Sequence, residues 1–172
     1  MSCLLSCPSE LIKEKSMQIV FLADYPHYLP VVAGWIFDEW GGEMSGSTFD
    51  SVQSEFSQHL NRDRIPLTML ALSEGLPVGT ASIFLYDMDT RMELTPWLAA
   101  VYVLPEFRGQ GIGSQLVRAI EETGKRLQLE RLYLFTPDRE AFYARLGWSL
   151  LELAEYRNHT NVIMTKSLLE VG

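Results

Sequence analysis

One stretch decides how this sequence folds, and it reads Leu98-Ala99-Ala100-Val101-Tyr102-Val103-Leu104-Pro105-Glu106-Phe107-Arg108-Gly109-Gln110-Gly111-Ile112-Gly113. Its first part is apolar throughout, which is typical of a strand buried on both faces of a sheet. Helical spacing of apolar residues then predicts a helix from about Gly113 to Leu127, with Glu121 and Lys125 paired on its outer face. A glycine-rich turn between a buried strand and a helix N-terminus favours anions, because unpaired N–H groups and the helix dipole meet there. Arg108 adds a positive charge beside this predicted anion site.

The glycines can be compared with three kinds of nucleotide-binding loop. A P-loop requires Lys followed by Ser or Thr after its last glycine, and Ile112-Gly113-Ser114 does not provide this pair. The dinucleotide fingerprint G-x-G-x-x-G requires a third glycine where Ser114 or Leu116 stands, and too little chain follows for a doubly wound sheet. The remaining pattern is the pyrophosphate loop of coenzyme A sites, Arg/Gln-x-x-Gly-x-Gly/Ala after a strand.

A second motif supports the third alternative. Val101 to Gly113 resembles the acetyl-CoA motif of the GNAT superfamily of N-acetyltransferases, and Phe142-Tyr143-Ala144-Arg145-Leu146-Gly147-Trp148 resembles that superfamily's F-Y-x-x-x-G-F segment. One predicted helix and one predicted strand separate the two motifs, as in the family. The match is specific from about Val78 to Leu150.

The resemblance implies a set of residues that contact acetyl-CoA. Backbone groups of the strand before the loop would bind the pantetheine arm, and amides of the loop would hold the pyrophosphate. An amide near Val101 would polarise the thioester carbonyl. The implied residues are Val101, Tyr102, Val103, Arg108, Gly109, Gln110, Gly111, Ile112, Gly113, Ser114 and Tyr143.

Tyr143 matches the family's tyrosine near the sulfur of coenzyme A. A phenol, whose ordinary pKa is about 10, could act as a general acid and protonate the departing thiolate. Its neighbours Phe142 and Leu146 alone would indicate a core aromatic residue. The accompanying loop and Gly147-Trp148 favour the general acid.

The general base is where the sequence departs from its relatives. Some family members carry a glutamate at the position of Trp97, which cannot accept a proton. Trp97 would instead form a wall of the acceptor pocket or pack at the end of the sheet. We consider Glu39 as base or acceptor-site residue, because it ends the first predicted helix, a region that often borders the acceptor. A water chain or an already neutral amine are alternatives. The other candidates are Asp38, Asp87, Glu93, His27, His59 and His159.

The predicted elements follow the order β-α-α-β-β-β-α-β-α-β-β. The first helix is predicted to begin at Asp24-Tyr25-Pro26 and the last at Thr136-Pro137-Asp138, where an N-cap residue is followed by a proline. This order predicts an α/β fold, a mixed sheet of roughly seven strands with four helices, as the resemblance to GNAT also implies. A first strand at Gln18–Leu22 places a single domain at residues 17–172. Residues 1–16 are then an N-terminal extension, frayed or loosely packed.

Composition limits the partners of the protein. The net charge of −8 argues against nucleic acid and is compatible with a cationic substrate, although acidity can simply maintain solubility. No apolar run is long enough to span a membrane. The two cysteines, Cys3 and Cys7, do not suggest a disulfide framework. We expect a cytoplasmic monomer or homodimer that requires no metal.

These observations predict an acetyl-CoA-dependent N-acetyltransferase. The acceptor would be a primary amine of a small molecule or a peptide, attacking directly in a ternary complex. No cysteine lies near either motif, which argues against an acetyl-cysteine intermediate. Two alternatives stay open: a non-catalytic coenzyme A sensor, and an enzyme that uses another acyl-CoA.

Overall fold

A buried strand, a glycine turn and a helix follow one another as predicted in the computed structural model, which describes residues 16–170. Apart from Ser16, the predicted extension 1–16 lies outside the described residues. The strands are β1 (Met17–Phe21), β2 (Leu67–Ser73), β3 (Leu76–Phe84), β4 (Trp97–Val103), β5 (Arg131–Thr136), β6 (Ser149–Tyr156) and β7 (His159–Ser167). The helices are α1 (Leu29–Trp40), α2 (Phe49–Ser57), α3 (Ile112–Arg126) and α4 (Glu140–Arg145).

The strands form one sheet in the order β1-β2-β3-β4-β5-β7-β6. Every neighbouring pair is antiparallel except β4 and β5, which are parallel. The predicted α/β fold, a mixed sheet of seven strands with four helices, is therefore confirmed. Within residues 16–170, no helix has the length and apolar character needed to cross a membrane.

Helices cover both faces of the sheet, as the apolar side chains of β2 require. Leu67, Met69 and Ala71 belong to a core shared with α3, whereas Leu70 and Leu72 pack with α1 and α2. Side chains alternate between the two faces of a strand, so an apolar run such as β2 is stable only when both faces are covered.

Two helices begin later in the chain than the sequence predicts. Asp24-Tyr25-Pro26 was expected to begin the first helix, but two 3₁₀ turns occupy Leu22–Asp24 and Pro26–Tyr28 before α1 begins at Leu29. Thr136 was expected to cap the helix that follows it. Its hydroxyl accepts hydrogen bonds from the amides of residues 138 and 139, at 3.4 and 3.0 Å, and this turn delays α4 to Glu140.

The sheet opens between β4 and β5. These strands share one paired position, Trp97 with Tyr133, and separate beyond it. On its other edge β4 carries a bulge, where the register with β3 shifts between Thr80 and Ser82. Ala100 has a φ of 53° at this bulge, a conformation that non-glycine residues rarely adopt. The bulge and the separation leave backbone groups of β4 facing the gap.

Candidate active site

A single cleft of about 840 Å³ lies where β4 and β5 separate. Its lining residues form two groups, which we call the two ends of the cleft. The first end consists of the C-terminal half of β4, the start of α3 and α4. The other end is lined by the end of α1, by α2 and by the turn between β6 and β7. This volume is in the range of small-molecule sites.

The glycine loop forms the floor of the first end. Gly109 and Gly111 have φ values of +76° and +82°, which glycine adopts at least cost. Gly111 is the N-cap of α3, and its carbonyl accepts the first helical hydrogen bond from the amide of Gln115 at 3.1 Å. The amides of residues 112–114 therefore have no partner within the helix, and these residues line the cleft.

Arg108 is fixed beside these amides. Its Nε donates to the carbonyl oxygen of Val103 at 2.8 Å, and its guanidinium carbon lies 5.5 Å from the centre of the Tyr102 ring. The Tyr102 ring also approaches Trp35 and Trp40, at centroid distances of 5.6 and 6.4 Å. A positive charge and a helix N-terminus thus converge on one end of the cleft, which suits a phosphate group.

The structure brings most of the predicted acetyl-CoA residues to this cleft. Gln110 does not line it, and the side-chain amide of Gln110 instead donates to the carbonyl of Glu106 at 3.5 Å. The predicted residues that line it are Val101, Tyr102, Val103, Arg108, Gly109, Gly111, Ile112, Gly113, Ser114 and Tyr143.

Tyr143 lies on α4 and reaches the same cleft. Its side chain is 8% exposed, and its ring packs edge-on against Phe142 and Trp148, at 4.9 and 6.3 Å between centroids. Burial raises the pKa of Tyr143 to about 12, with a smaller opposing effect of Arg139. The phenol therefore keeps its proton over the whole physiological pH range, as a proton donor must.

A buried ion pair beneath Tyr143 was not foreseen. Glu121 was expected on the outer face of its helix, paired with Lys125, but its carboxylate is buried. It accepts hydrogen bonds from Trp148 Nε1 at 2.9 Å and from Lys166 Nζ at 2.8 Å. Lys166 also donates to the carbonyl of Leu146 at 2.7 Å. This network fixes the turn after α4, because moving Trp148 or Lys166 away would leave the buried charge of Glu121 without a partner, which is strongly destabilising.

Trp97 is a packing residue. The sequence left two roles open for it, a wall of the acceptor pocket or a packing residue at the sheet end. Its side chain is fully buried, donates from Nε1 to the carbonyl of Leu94 at 2.7 Å and packs against Tyr133 and Phe135. It does not line the cleft.

Carboxylates gather at the second end of the cleft. Glu39, Glu43, Glu55 and Asp87 all line it, and Glu39 is exposed there. Of the other candidate bases, His159 lines the cleft, where its Nε2 lies 3.3 Å from a carboxylate oxygen of Glu43. The candidates that do not line it are Asp38, Glu93, His27 and His59.

His59 is a core residue. It is 3% exposed, its Nδ1 lies 3.1 Å from the Thr68 hydroxyl, and its ring stacks on Phe56 and meets Phe84 edge-on. Burial lowers the pKa of His59 to about 4 from an ordinary value near 6.5. The neutral imidazole therefore belongs to the packing of α2 on the sheet.

This burial predicts a specific acid sensitivity. Between pH 6.5 and pH 4 the unfolded chain binds a proton that folded His59 does not, so stability falls as the pH falls. We expect His59 to account for about 3 kcal/mol of that loss in the free energy of unfolding. Urea unfolding at pH 7 and pH 4 should show that His59→Phe loses less stability than wild type. The exposed His27→Phe should follow wild type, and equal losses in all three proteins would refute the assignment.

Comparison with known proteins adds independent findings. Residues 25–148 match the model of the acetyltransferase (GNAT) family. The chain is 29% identical over 82 residues to an amino-acid acetyltransferase of Aeromonas salmonicida (strain A449), covering 48% of this chain and 18% of that protein. It is 26% identical over 148 residues to N-alpha-acetyltransferase 80 of Mus musculus, covering 84% and 45%. The chain thus spans less than half the length of these curated relatives.

Solved structures share the fold at low sequence identity. An aminoglycoside 6'-acetyltransferase type Ii superposes with a TM-score of 0.69 at 18% identity, over 91% of this chain and 99% of that one. An aminoglycoside 6'-N-acetyltransferase complexed with coenzyme A gives 0.68 at 16% identity, over 91% and 99%. A GNAT acetyltransferase from Streptococcus pneumoniae gives 0.66 at 18% identity, over 88% and 99%. With the family match over most of its length, this chain belongs to the GNAT family of acetyltransferases.

Proposed function

We propose that this chain is an N-acetyltransferase that moves the acetyl group of acetyl-CoA to a primary amine of a small molecule or a peptide. One observation carries the proposal: a single cleft is lined by both the anion-binding loop and the protonated phenol of Tyr143. An anion site alone would suit many phosphate ligands. An anion site that shares its cleft with a proton donor suits a reaction that expels a thiolate.

The residues present fit a coenzyme A thioester. The free amides at the start of α3 and the guanidinium of Arg108 suit the pyrophosphate. Backbone groups of β4 that are not paired with β5 suit the amide-bearing arm of the same molecule. An amide next to the bulge at Ala100 suits the thioester carbonyl, where negative charge develops.

Direct transfer between the two substrates is the simplest chemistry for this cleft. The amine nitrogen bonds to the carbonyl carbon, the C–S bond breaks, and Tyr143 donates its proton to the leaving sulfur. The nitrogen loses one proton in the same overall step, and the return of one proton to Tyr143 restores the phenol. No cysteine is among the described residues that line the cleft, so none of them offers a thiol for an acetyl-cysteine intermediate.

A panel of amines tests the proposal. Release of free thiol from acetyl-CoA should be measured with spermidine, lysine, kanamycin and a peptide with a free N-terminus. The similar proteins named above suggest the last three probes. We expect at least one amine to raise thiol release above the rate without amine, and mass spectrometry should find that amine acetylated. Binding of acetyl-CoA without transfer to any of them would identify a sensor instead, and transfer only from a longer acyl-CoA would correct the donor.

A further inference from the structure

Asp87 provides the cleft with a carboxylate that can accept a proton. The family position for a catalytic glutamate holds Trp97, which is fully buried and hydrogen-bonded to the backbone. Trp97 starts β4 and pairs with Phe84, the last residue of β3. Asp87 follows Phe84 by three residues, in the connection between these strands, and lines the cleft. It therefore supplies to the cleft a carboxylate that Trp97 cannot supply.

The carboxylate of Asp87 is half-buried, and within the described part of the chain no salt bridge engages it. The only basic side chain of its own connection, Arg91, pairs with Glu93 and Glu152. A half-buried carboxylate without an ion pair is costly when it is charged, so Asp87 is poised to accept a proton.

The elements around Asp87 explain its affinity for protons. Burial raises the pKa of Asp87 to about 7; Arg157 opposes this rise and Glu55 supports it. Arg157 lies in the turn between β6 and β7, with its guanidinium carbon 4.9 Å from the centre of the Tyr156 ring. The remaining titratable groups at this end are Glu39, Glu43, His159, Tyr86 and Tyr156. Glu43 and His159 face each other. A base is most effective when its pKa is close to the working pH.

We infer that Asp87 is the general base of this cleft, the group that takes a proton from the ammonium form of the acceptor before the amine attacks. The inference rests on the proposed function. The ammonium R–NH₃⁺ gives one proton to a carboxylate oxygen of Asp87 and becomes the neutral nucleophile. After attack, the C–S bond breaks and the sulfur receives a proton from Tyr143. The second proton lost by the nitrogen returns to Tyr143 and restores the phenol. The sum is one N-acetylated amine, one free thiol and one proton, which Asp87 releases to solvent.

The acidic lining of this end supports an acceptor that arrives as an ammonium ion. Four carboxylates line it, against one arginine and one histidine. Glu43 is engaged by His159 and Glu39 is exposed, so both can attract a cation without being buried beside it. This places Glu39 at the acceptor site and transfers the role of base to Asp87.

The pH dependence of kcat/KM tests the inference, with the fastest amine of the panel as acceptor. The kcat/KM of wild type should fall below pH 7 in a single acidic limb of the pH profile, as Asp87 becomes protonated. Asp87→Asn should lower kcat/KM at pH 7.5 by about 100-fold, and its residual rate should rise steadily with pH as free amine becomes available. Asp87→Glu should restore part of the rate. Asp89→Asn, on the same connection and exposed, should keep the wild-type profile.

Glu55→Gln provides a second readout. Removing this negative neighbour should move the limb to lower pH, because Glu55 raises the pKa of Asp87. A wild-type limb that survives in Asp87→Asn, or that disappears in Glu39→Gln or Glu55→Gln, would overturn the inference. If no amine of the panel is acetylated, the proposed function fails instead.

A stability measurement shows whether a low rate in Asp87→Asn reflects misfolding. Folded Asp87 binds a proton more tightly than the unfolded chain does, so its ionisation lowers stability as the pH rises from 4 to 7. The melting temperature of Asp87→Asn, relative to wild type, should therefore increase from pH 5 to pH 8. A variant that melts below wild type at pH 8 would contradict a half-buried carboxylate without an ion pair.

Discussion

Gly111→Asp is expected to weaken acetyl-CoA binding by at least about 100-fold, which corresponds to roughly 2.7 kcal/mol. Aspartate tolerates the left-handed backbone that Gly111 adopts at a φ of +82°, so the loop can keep its shape. A Cβ at this position meets no atom within 4 Å. The loss therefore comes from a carboxylate placed beside the free amides, where it competes with the pyrophosphate and repels it.

A matched glycine separates binding from backbone strain. Gly75, in the turn between β2 and β3, has a φ of +81° and equally open surroundings, but it does not line the cleft. Gly75→Asp should therefore show the same change in stability and bind acetyl-CoA like wild type. Isothermal titration calorimetry on both variants, with Gly111→Asn as the uncharged form, gives the comparison. Equal affinity of Gly111→Asp and Gly75→Asp for acetyl-CoA would show that the loop is not part of the binding site.

Tyr143→Phe is expected to lower kcat by about 100-fold while the KM for acetyl-CoA changes by less than about three-fold. The phenol is protonated because burial raises its pKa to about 12, so only this hydroxyl is lost. The phenylalanine ring keeps the edge-on contacts with Phe142 and Trp148. Steady-state kinetics with the fastest amine of the panel measures both constants.

Tyr133→Phe is the control for this substitution. Tyr133 packs against Trp97 and lies outside the large cleft, so loss of its hydroxyl should leave kcat unchanged. An unchanged kcat in Tyr143→Phe would leave Tyr143 as a core residue. A KM that rises while kcat stays constant would make it a binding residue rather than an acid.

Local signals predicted the half of the cleft for which we propose anion binding. Gly111 and Gly147 are placed by backbone conformation, with φ values of +82° and +90°, and such positions favour glycine in any context. The alternation of buried strand, glycine turn and apolar helix is also local. These features appear in a short stretch of sequence because neighbours along the chain determine them.

The remaining features depend on contacts between distant residues. Nothing in the apolar run of β4 indicates that Ala100 has a φ of 53°, because the bulge arises from its register with β3. Glu121 resembled a surface residue until α3 packed against Trp148 and Lys166, respectively 27 and 45 residues away along the chain. Asp87 likewise could not be chosen as the base from the sequence, since the charges of Glu55 and Arg157 act on its pKa from other elements.

Thermal unfolding with and without acetyl-CoA tests the central claim most directly. A ligand that binds only the folded state at 100 times its dissociation constant adds about 2.7 kcal/mol of stability. For a chain of 172 residues this should raise the melting temperature by roughly 5 to 10 °C. We expect such a rise in wild type and in Tyr143→Phe, and its loss in Gly111→Asp. A melting temperature that does not change with acetyl-CoA in wild type would contradict that claim.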